Sequence, residues 1–256
     1  MAVRRELTPP ILSLTLDRPK ANAFDQAQLD ALSEALDAAA AVDGARVLVV
    51  FGAGERAFSA GADLTGVGPL GEPAGLGRWT AQAHSALDRI ESVPVPVIAA
   101  MQRPAVGGGF ELALACHLRV LGSAAHVGLP EIRRGYLPSW AGLERLSRVI
   151  GIARASDLLL TGHAVEAPEA LALGLVHRVA DDADAAARAL AAELADLPPL
   201  AVRAAVAQIA GVRRGDDVAT VRARELSDLE RLVRTEDTVE GVLAFLEKRT
   251  PVFRGR

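Results

Sequence analysis

The chain has 256 residues, of which half are apolar and 23% are charged, a balance typical of a folded globular protein rather than a disordered one. A chain of this length buries enough surface to fold without disulfides, and its single cysteine, Cys116, excludes a disulfide framework and a multi-cysteine metal site. The 28 basic and 32 acidic residues give a formal net charge of −4, so the chain has no global basic field that would attract nucleic acid or a membrane surface.

The N-terminal segment and the apolar runs bear on location. The first ten residues carry charge without an apolar core behind them, so a secretory signal is not expected. The best apolar run, residues 93–101, is too short to cross a bilayer and is interrupted by Pro94 and Pro96. None of the five histidines has the spacing of a ligand motif. The sequence therefore predicts a cytoplasmic protein without a metal site or membrane contact.

Strands and helices alternate in the first half of the chain. The alternation from Ile11 to Leu16 predicts a strand. Apolar residues recur at helical spacing from Gln26 to Val42, and Gly44 then ends that predicted helix. The valine-rich run from Arg46 to Phe51 is typical of a buried strand. Further short strands are predicted over residues 97–101 and 118–121.

The second half of the chain is mostly helical in pattern. Before it, the stretch from Gly66 to Gly77 is rich in glycine and contains two prolines, so we expect a loop there, near a functional site. From Ala141 onward the spacing favours helices, and no linker or fixed-period repeat interrupts the chain. These helices are predicted over residues 181–197, 218–233 and 239–248. The chain therefore reads as one α/β domain.

A superficial dinucleotide-binding fingerprint lies at Gly52 to Ala57, after a predicted strand. A genuine fingerprint needs a helix at its last position and an acidic residue about 20 residues further on. Residues 58–61 and the glycine-rich stretch follow instead, so a strand-ending turn is the better interpretation. The chain has no GK[ST] phosphate loop, and Ser59 has no nucleophile elbow around it.

Three glycines, Gly107 to Gly109, run directly into an apolar helix. The first turn of a helix presents unpaired N–H groups, and glycine lets an oxygen approach them closely. The pattern is typical of a site that stabilises an anion, including one that exists only in a transition state. The alternative is close packing of one backbone segment on another.

Two glutamates near this motif are candidates for acid–base chemistry. Glu111 stands in the first turn of a helix that is apolar almost all round, so no solvent face is evident for it. Burial raises the proton affinity of a carboxylate and suits it to proton transfer near neutral pH. Glu131 follows twenty residues later. The alternative for Glu111 is a surface glutamate favoured by the helix dipole, and spacing alone does not bring the two together.

Several ordered stretches match one known family. They are residues 17–23, 57–64, 107–114, 130–132, 158–162, 170–176 and 244–249. On these stretches the chain resembles the crotonase, or enoyl-CoA hydratase/isomerase, superfamily over nearly its whole length. The resemblance implies an α/β fold in which residues 1–195 form a ββα spiral with the active site. Residues 196–256 would then form a helical region of the same unit, which mediates trimer formation.

The resemblance also implies the ligand and the roles of individual residues. The ligand would be an acyl-CoA thioester, with no separate cofactor and no metal. The backbone N–H groups of Ala62 and Gly108 would form an oxyanion hole, and Glu111 and Glu131 would be the acid–base pair. Contacts to CoA are implied for Lys20, Ala21 and Ala60, and for Phe245 and Lys248, which a neighbouring subunit can supply. The substrate pocket would include Leu64, Gly107 and Trp140.

The sequence departs from the hydratase pattern at two positions. Trp140 stands where hydratases usually carry a small residue, so the indole either reshapes the acyl pocket or disturbs hydration. Thr65 stands where a basic residue often contacts CoA. Because both glutamates are present, the resemblance favours hydration of trans-2-enoyl-CoA to 3-hydroxyacyl-CoA by a homotrimer or a dimer of trimers. The alternatives are isomerisation, decarboxylation or hydrolysis of an acyl-CoA, and a non-catalytic CoA- or RNA-binding protein.

Overall fold

A six-stranded sheet forms the centre of the computed structural model, which describes residues 3–40, 44–63 and 73–256. With strands numbered in chain order, the sheet contains β1 (Val3–Thr8), β2 (Ile11–Leu16), β3 (Val47–Gly52), β4 (Val97–Met101), β6 (Leu118–Gly122) and β9 (Arg178–Ala180), side by side in that order. The first two strands pair antiparallel and all later pairs are parallel. A second sheet contains β5 (Ala105–Val106), β7 (His126–Gly128) and β8 (Val165–Glu166).

The helices lie between the strands and then follow them. Those before β9 are α1 (Gln26–Ala40), α2 (Pro73–Ser92), α3 (Gly108–Ala115), α4 (Gly142–Thr161) and α5 (Ala167–Ala172), with a 3₁₀ helix over Pro130–Arg134. Those after β9 are α6 (Ala183–Ala195), α7 (Pro199–Arg214), α8 (Val218–Leu232) and α9 (Glu236–Glu247). The predicted α/β class is therefore confirmed, and the C-terminal region is helical as predicted.

The central strands are buried on both faces, because helices cover both sides of the parallel sheet. Leu48 and Val50 of β3 point into the larger core, whereas Val47 and Val49 point to the opposite face. Residues of α6 such as Ala187 cover that second face. Burial on both faces explains why β3 reads in the sequence as an almost continuous apolar run rather than an alternating one.

The structure confirms the predicted strands and helices, with bounds shifted by a few residues. The strand over residues 11–16 and the one over residues 97–101 have the predicted bounds. Helices predicted over residues 181–197, 218–233 and 239–248 are α6, α8 and α9. The predicted end of the first helix, residues 41–42, lies outside the described residues. Strand β1 was not predicted, because only Val3 of its six residues is buried and no apolar alternation marks it.

One prediction is wrong in part. The stretch from Gly66 to Gly77 was expected to be a loop, but its last five residues form the start of α2. Proline is compatible with the first turn of a helix, where its missing N–H costs nothing. Further along α2, Trp79, Ala83 and Leu87 are buried in the core, so packing outweighs the low helix propensity of two glycines. The earlier part of the stretch lies outside the described residues.

Two isolated parallel bridges position the segment that follows β3. Phe24 pairs with Ala62, and Ser59 pairs with Ala105 at the start of β5. The segment of residues 57–63 is thereby held between the connection that follows β2 and the strand that leads into α3. The loops after β2 and β3 therefore meet the N-terminus of α3 at one place.

Candidate active site

A cavity of about 110 Å³ opens where these loops meet the N-terminus of α3. The predicted site residues that line it are Ala60, Ala62, Gly107, Gly108, Glu111, Glu131 and Trp140. They come from four separate parts of the chain, namely the loop after β3, the N-terminus of α3, the 3₁₀ helix and the turn before α4. The fold thus brings together residues that the sequence places up to 80 positions apart.

The glycine run at the start of α3 has a backbone that only glycine adopts readily. Gly107 has φ +56° and its N–H donates to the carbonyl of Gly128 at 2.9 Å. A Cβ at Gly107 would lie 2.7 Å from Oε1 of Glu131. A side chain at position 107 would therefore occupy the space of the Glu131 carboxyl group.

Two backbone N–H groups at the cavity have no acceptor among the described residues. Gly108 is the first residue of α3, so its N–H has no partner within the helix. Around Ala62, the bridge to Phe24 uses the carbonyl of Gly61 and the N–H of Asp63, and it leaves the N–H of Ala62 unused. Both residues line the cavity, so the two donors are available to a ligand oxygen.

The Glu111 carboxyl group is buried and held by main-chain donors. Only 2% of the residue is exposed, and its Oε1 accepts from the N–H groups of Trp140 and Gly142 at 2.8 Å each. Burial, followed by the nearby charge of Glu131, raises the pKa of Glu111 to about 8, although the two N–H donors and Arg145 act to lower it. The carboxyl therefore holds its proton far more strongly than an exposed glutamate.

Glu131 reaches the same cavity from the 3₁₀ helix. It is 5% exposed, and its Oε2 is buried with no hydrogen-bond partner in the described part of the chain. Burial raises the pKa of this carboxyl as well. Two carboxyls that both resist ionisation in one cavity retain a proton between them near neutral pH, so one can act as an acid while the other acts as a base.

Trp140 forms a wall of the cavity within an aromatic cluster. Its ring packs edge-on against Phe24, with centroids 5.2 Å apart, and lies 5.1 Å from the ring of Trp79. A Cβ at Gly108 would lie 2.7 Å from Cζ3 of Trp140, so the indole sits directly on the start of α3. The side chain fills core volume beside the site, while its backbone N–H serves Glu111.

The other predicted residues are distributed around the cavity or lie apart from it. The carbonyl of Ala21 accepts from the N–H of Ala60 at 2.9 Å, which places the turn of the exposed Lys20 and the half-buried Ala21 beside the rim. Phe245 is 81% exposed on α9, and Lys248 follows at the end of that helix. Neither lines the described cavity. Leu64 and Thr65 lie outside the described residues.

Several residues at the site were not singled out from the sequence. Trp79, Arg134 and Tyr136 also line the cavity, and Trp79 lies in a helix whose start was predicted to be a loop. Asn22 is buried with φ +54°, and its side-chain amide donates to the carbonyls of Ala53 and Ala57. It thereby ties down the loop that carries Ala62.

The described residues contain neither a group of metal ligands nor a membrane-spanning helix. Across the described residues, no three His, Cys, Asp or Glu side chains are grouped so that they could hold a metal ion. Within those same ranges, no helix has both the length and the hydropathy needed to cross a membrane. The apparent dinucleotide fingerprint is a turn after β3, in which a Cβ at Gly52 would lie 2.5 Å from Cα of Phe58.

Comparison with known proteins identifies the family. The family model described as Enoyl-CoA hydratase/isomerase matches residues 7–256. The chain belongs to the enoyl-CoA hydratase/isomerase family. A solved structure of the enoyl-CoA hydratase from Bacillus anthracis is 34% identical, with a TM-score of 0.93 and full coverage of both chains. The predicted crotonase fold is therefore confirmed.

Curated relatives of this enoyl-CoA hydratase/isomerase family member bear hydratase names. The human mitochondrial enoyl-CoA hydratase domain-containing protein 2 is 40% identical over 253 residues, which cover 96% of this chain and 86% of the relative. The mouse mitochondrial methylglutaconyl-CoA hydratase is 36% identical over 239 residues, covering 91% and 76%. The relatives therefore support a hydratase at a coarse level, while they differ in the acyl group named.

Proposed function

We propose that the chain hydrates a trans-2-enoyl-CoA thioester to the 3-hydroxyacyl-CoA. The observation that carries this proposal is the pair of buried carboxyl groups, Glu111 and Glu131, on one small cavity beside two backbone N–H groups that have no acceptor in the described part of the chain. Addition of water across a double bond needs one group to activate the water and another to deliver a proton. A cavity that holds two carboxyls with raised pKa values meets both needs.

The thioester carbonyl would lie between the N–H groups of Ala62 and Gly108. Negative charge builds on that oxygen as water attacks the β-carbon, and two fixed donors in a water-poor site stabilise it without reorganisation. In well-studied enzymes, removal of one such donor costs about 3–4 kcal/mol of transition-state stabilisation. This oxyanion hole draws electrons away from the double bond and makes the β-carbon electrophilic.

Glu111 and Glu131 would divide the proton chemistry. Oε1 of Glu111 is occupied by two main-chain donors, so Oε2 of the ionised carboxylate is available to orient a water and take its proton. Because the pKa of Glu111 is raised to about 8, the population of this ionised form grows as pH rises toward 8. The water oxygen bonds to the β-carbon, and the α-carbon receives a proton from Glu131. One proton enters a carboxylate and one leaves a carboxylic acid, so the net change is the addition of one water. The unpartnered Oε2 of Glu131 is the group suited to that donation.

The CoA part of the substrate would lie outside the cavity. Lys20, Ala21 and Ala60 stand at its rim, and Lys20 and Lys248 are the only lysines of the chain. An ammonium group at each of these positions suits the phosphates of CoA. Phe245 and Lys248 would serve a neighbouring subunit in a homotrimer or a dimer of trimers. No other cofactor enters the proposal.

The proposal is tested with Glu111→Gln and Glu131→Gln, which keep the size of each side chain but remove its proton chemistry. Each variant is expected to lower the turnover of crotonyl-CoA hydration at least ~100-fold, the usual scale for acid–base groups. The measurement is the loss of the enoyl absorbance, with the product identified by mass spectrometry.

The matched control is Glu169→Gln, which changes an exposed glutamate on α5 and is expected to hydrate at the wild-type rate. Turnover near wild type in Glu111→Gln or Glu131→Gln would refute the role given to that residue. If Glu131→Gln abolishes double-bond migration while Glu111→Gln retains it, and neither wild type nor variant adds water, the chain is an isomerase instead.

A further inference from the structure

A buried arginine lies behind the turn that holds Glu111. Arg145 of α4 is only 3% exposed along its side chain, and its guanidinium makes three hydrogen bonds. Nε donates to Oε1 of Glu91 at 2.8 Å, Nη2 donates to Oδ1 of Asp88 at 2.8 Å, and Nη1 donates to the carbonyl of Trp140 at 2.6 Å. The first two acceptors belong to α2, so the arginine fixes α4 and the turn before it to that helix.

The turn of residues 140–142 has Arg145 on one side and Glu111 on the other. The carbonyl of Trp140 accepts from Arg145, whereas its N–H donates to Glu111. Ala141 has φ +63°, and its carbonyl accepts from the backbone N–H of Arg145 at 3.0 Å. Gly142 supplies the second donor to Glu111. The position of both donors therefore depends on what holds this turn.

We propose that Arg145 is a positioning residue for Glu111, which acts through the turn of residues 140–142 to hold the carboxyl with one oxygen bound and the other facing the cavity. The inference rests on the proposed hydratase function for its kinetic consequence. Its structural part, the control of the Glu111 carboxyl by Arg145, stands on the hydrogen bonds alone.

The charges around Glu111 make its pKa sensitive to the loss of Arg145. Glu131 faces Glu111 from the 3₁₀ helix and raises its pKa, whereas Arg145 faces it from α4 and lowers it. The phenol of Tyr136 also lies within the field of both carboxyls. Loss of the Arg145 charge and of the ordered donors acts in one direction only, toward a still higher pKa of Glu111.

The test compares Arg145→Met with Arg148→Met. Arg148 lies one helical turn further along α4, and its Nη2 donates at 2.9 Å to the same Oε1 of Glu91. Arg148 makes no hydrogen bond to Trp140 among the described residues, so it controls for the loss of a partly buried ion pair with Glu91. Arg145→Met is expected to lower kcat for enoyl-CoA hydration about tenfold or more with KM changed little, since the affected group acts on the chemical step.

The pH profile separates positioning from a general structural effect. The acid limb of kcat should move to higher pH in Arg145→Met by about one unit, whereas Arg148→Met should keep the wild-type limb. Arg145→Lys keeps the charge without the planar fork, so we expect its limb to lie between those of wild type and Arg145→Met. If Arg145→Met and Arg148→Met share the same kcat and the same limb, the proposal is overturned.

A direct titration keeps the test independent of folding failure and of the reaction. The Glu111 carboxyl is followed by ¹³C NMR and assigned by its absence in Glu111→Gln, in wild type and in Arg145→Lys, with Arg145→Met added if that variant folds. A higher pKa than in wild type supports the proposal, and an unchanged pKa overturns it. If the wild type adds no water to any enoyl-CoA tried, the proposed function fails, while this titration still decides the role of Arg145.

Discussion

Glu111 and Glu131 are two glutamates in one cavity whose surroundings differ at the level of single atoms. One oxygen of Glu111 receives two main-chain N–H groups, whereas the buried Oε2 of Glu131 receives none from the described residues. The two N–H groups fix the orientation of the Glu111 carboxyl, whereas Oε2 of Glu131 is left available to a ligand. This difference in contacts supports the proposed division, in which Glu111 orients the water and Glu131 delivers the proton.

The burial of Glu111 should be visible in stability as well as in catalysis. Because its pKa rises from an ordinary 4.5 to about 8, the folded state prefers the protonated form. The resulting stability is complete below pH 4.5 and is lost as pH rises through 8. Glu111→Gln keeps an acceptor oxygen and does not titrate, so its advantage in free energy of unfolding over wild type should grow across this window.

Urea denaturation of both proteins at pH 5, 7 and 9 measures this effect. One pKa unit corresponds to about 1.4 kcal/mol, so the gap should reach a few kcal/mol at pH 9. Glu169→Gln should show no such widening. A gap that stays constant from pH 5 to pH 9 would contradict the raised pKa of Glu111 in the folded protein.

For single residues, the sequence indicated which side chains belong to the candidate site but not which hydrogen bonds position them. Glu111 stood out because the helix around it offers no solvent face, and the structure confirms that every residue of that helix is buried. Arg145 did not stand out, since its importance comes from a hydrogen bond to the carbonyl of Trp140. No residue pattern marks which main-chain carbonyl a side chain will reach.

At the level of secondary-structure elements, the cavity depends on a close contact between the loop after β3 and the start of α3. Gly61, in the loop after β3, has φ +78°, and a Cβ there would lie 2.8 Å from the backbone nitrogen of Gly108 at the start of α3. This close approach sets the spacing between the N–H donors of Ala62 and Gly108. The predicted anion site therefore coincides with the alternative interpretation, close packing of backbone on backbone.

Comparison of Gly61→Ala with Gly54→Ala separates the effect of the close backbone contact from the effect of the positive φ. Gly54 has nearly the same φ, +79°, but a Cβ there meets no atom within 4 Å. Gly54→Ala should cost about 1–2 kcal/mol of stability, the usual cost of a left-handed non-glycine residue, and Gly61→Ala should cost more, because its Cβ also meets the backbone nitrogen of Gly108. Only Gly61→Ala should also lower kcat, by tenfold or more, because it displaces an oxyanion donor. Thermal melts and steady-state kinetics measure both, and equal kcat values would contradict the proposed donor geometry.

Elements were predictable where local pattern and packing agree. The strands with strong apolar patterns, β2, β3 and β4, matched their predictions closely because burial of their side chains dictates both. The start of α2 was not predictable, since Gly75 and Gly77 favour a loop locally and only the core contacts of later residues extend the helix to Pro73. The loops after β2 and β3 meet the N-terminus of α3 because of the order of the strands in the sheet, and no local sequence pattern encodes that order.

The last two helices, α8 and α9, expose many apolar side chains at the surface of the single chain. Helix α8 has no buried residue, and more than half of Leu226, Leu229 and the Val233 that caps its C-terminus is exposed. The apolar side chains exposed on α9 are Val239, Val242, Leu243, Phe245 and Leu246. Exposed apolar side chains in such number on two successive helices are typical of a subunit interface.

Leu229→Lys tests the expected trimer. The wild type should show a mass three or six times the 26.7 kDa of one chain in light scattering, and the variant should shift to smaller species. Leu160→Lys places the same charge on a leucine of α4 that is also more than half exposed, and it should leave the mass unchanged. A monomeric wild type would contradict the trimer, and would leave Phe245 and Lys248 without the neighbouring active site proposed for them.

The two main-chain hydrogen bonds to Glu111 determine which neighbouring positions can change among relatives of this protein. Every amino acid except proline carries the N–H that position 140 contributes, so its side chain can vary while the carboxyl keeps its place. Position 142 has no such freedom, because a Cβ there would lie 2.8 Å from Oε1 of Glu111. The side chain at position 140, which lines the cavity, can thus change among relatives while the main-chain hydrogen bonds to Glu111 are kept.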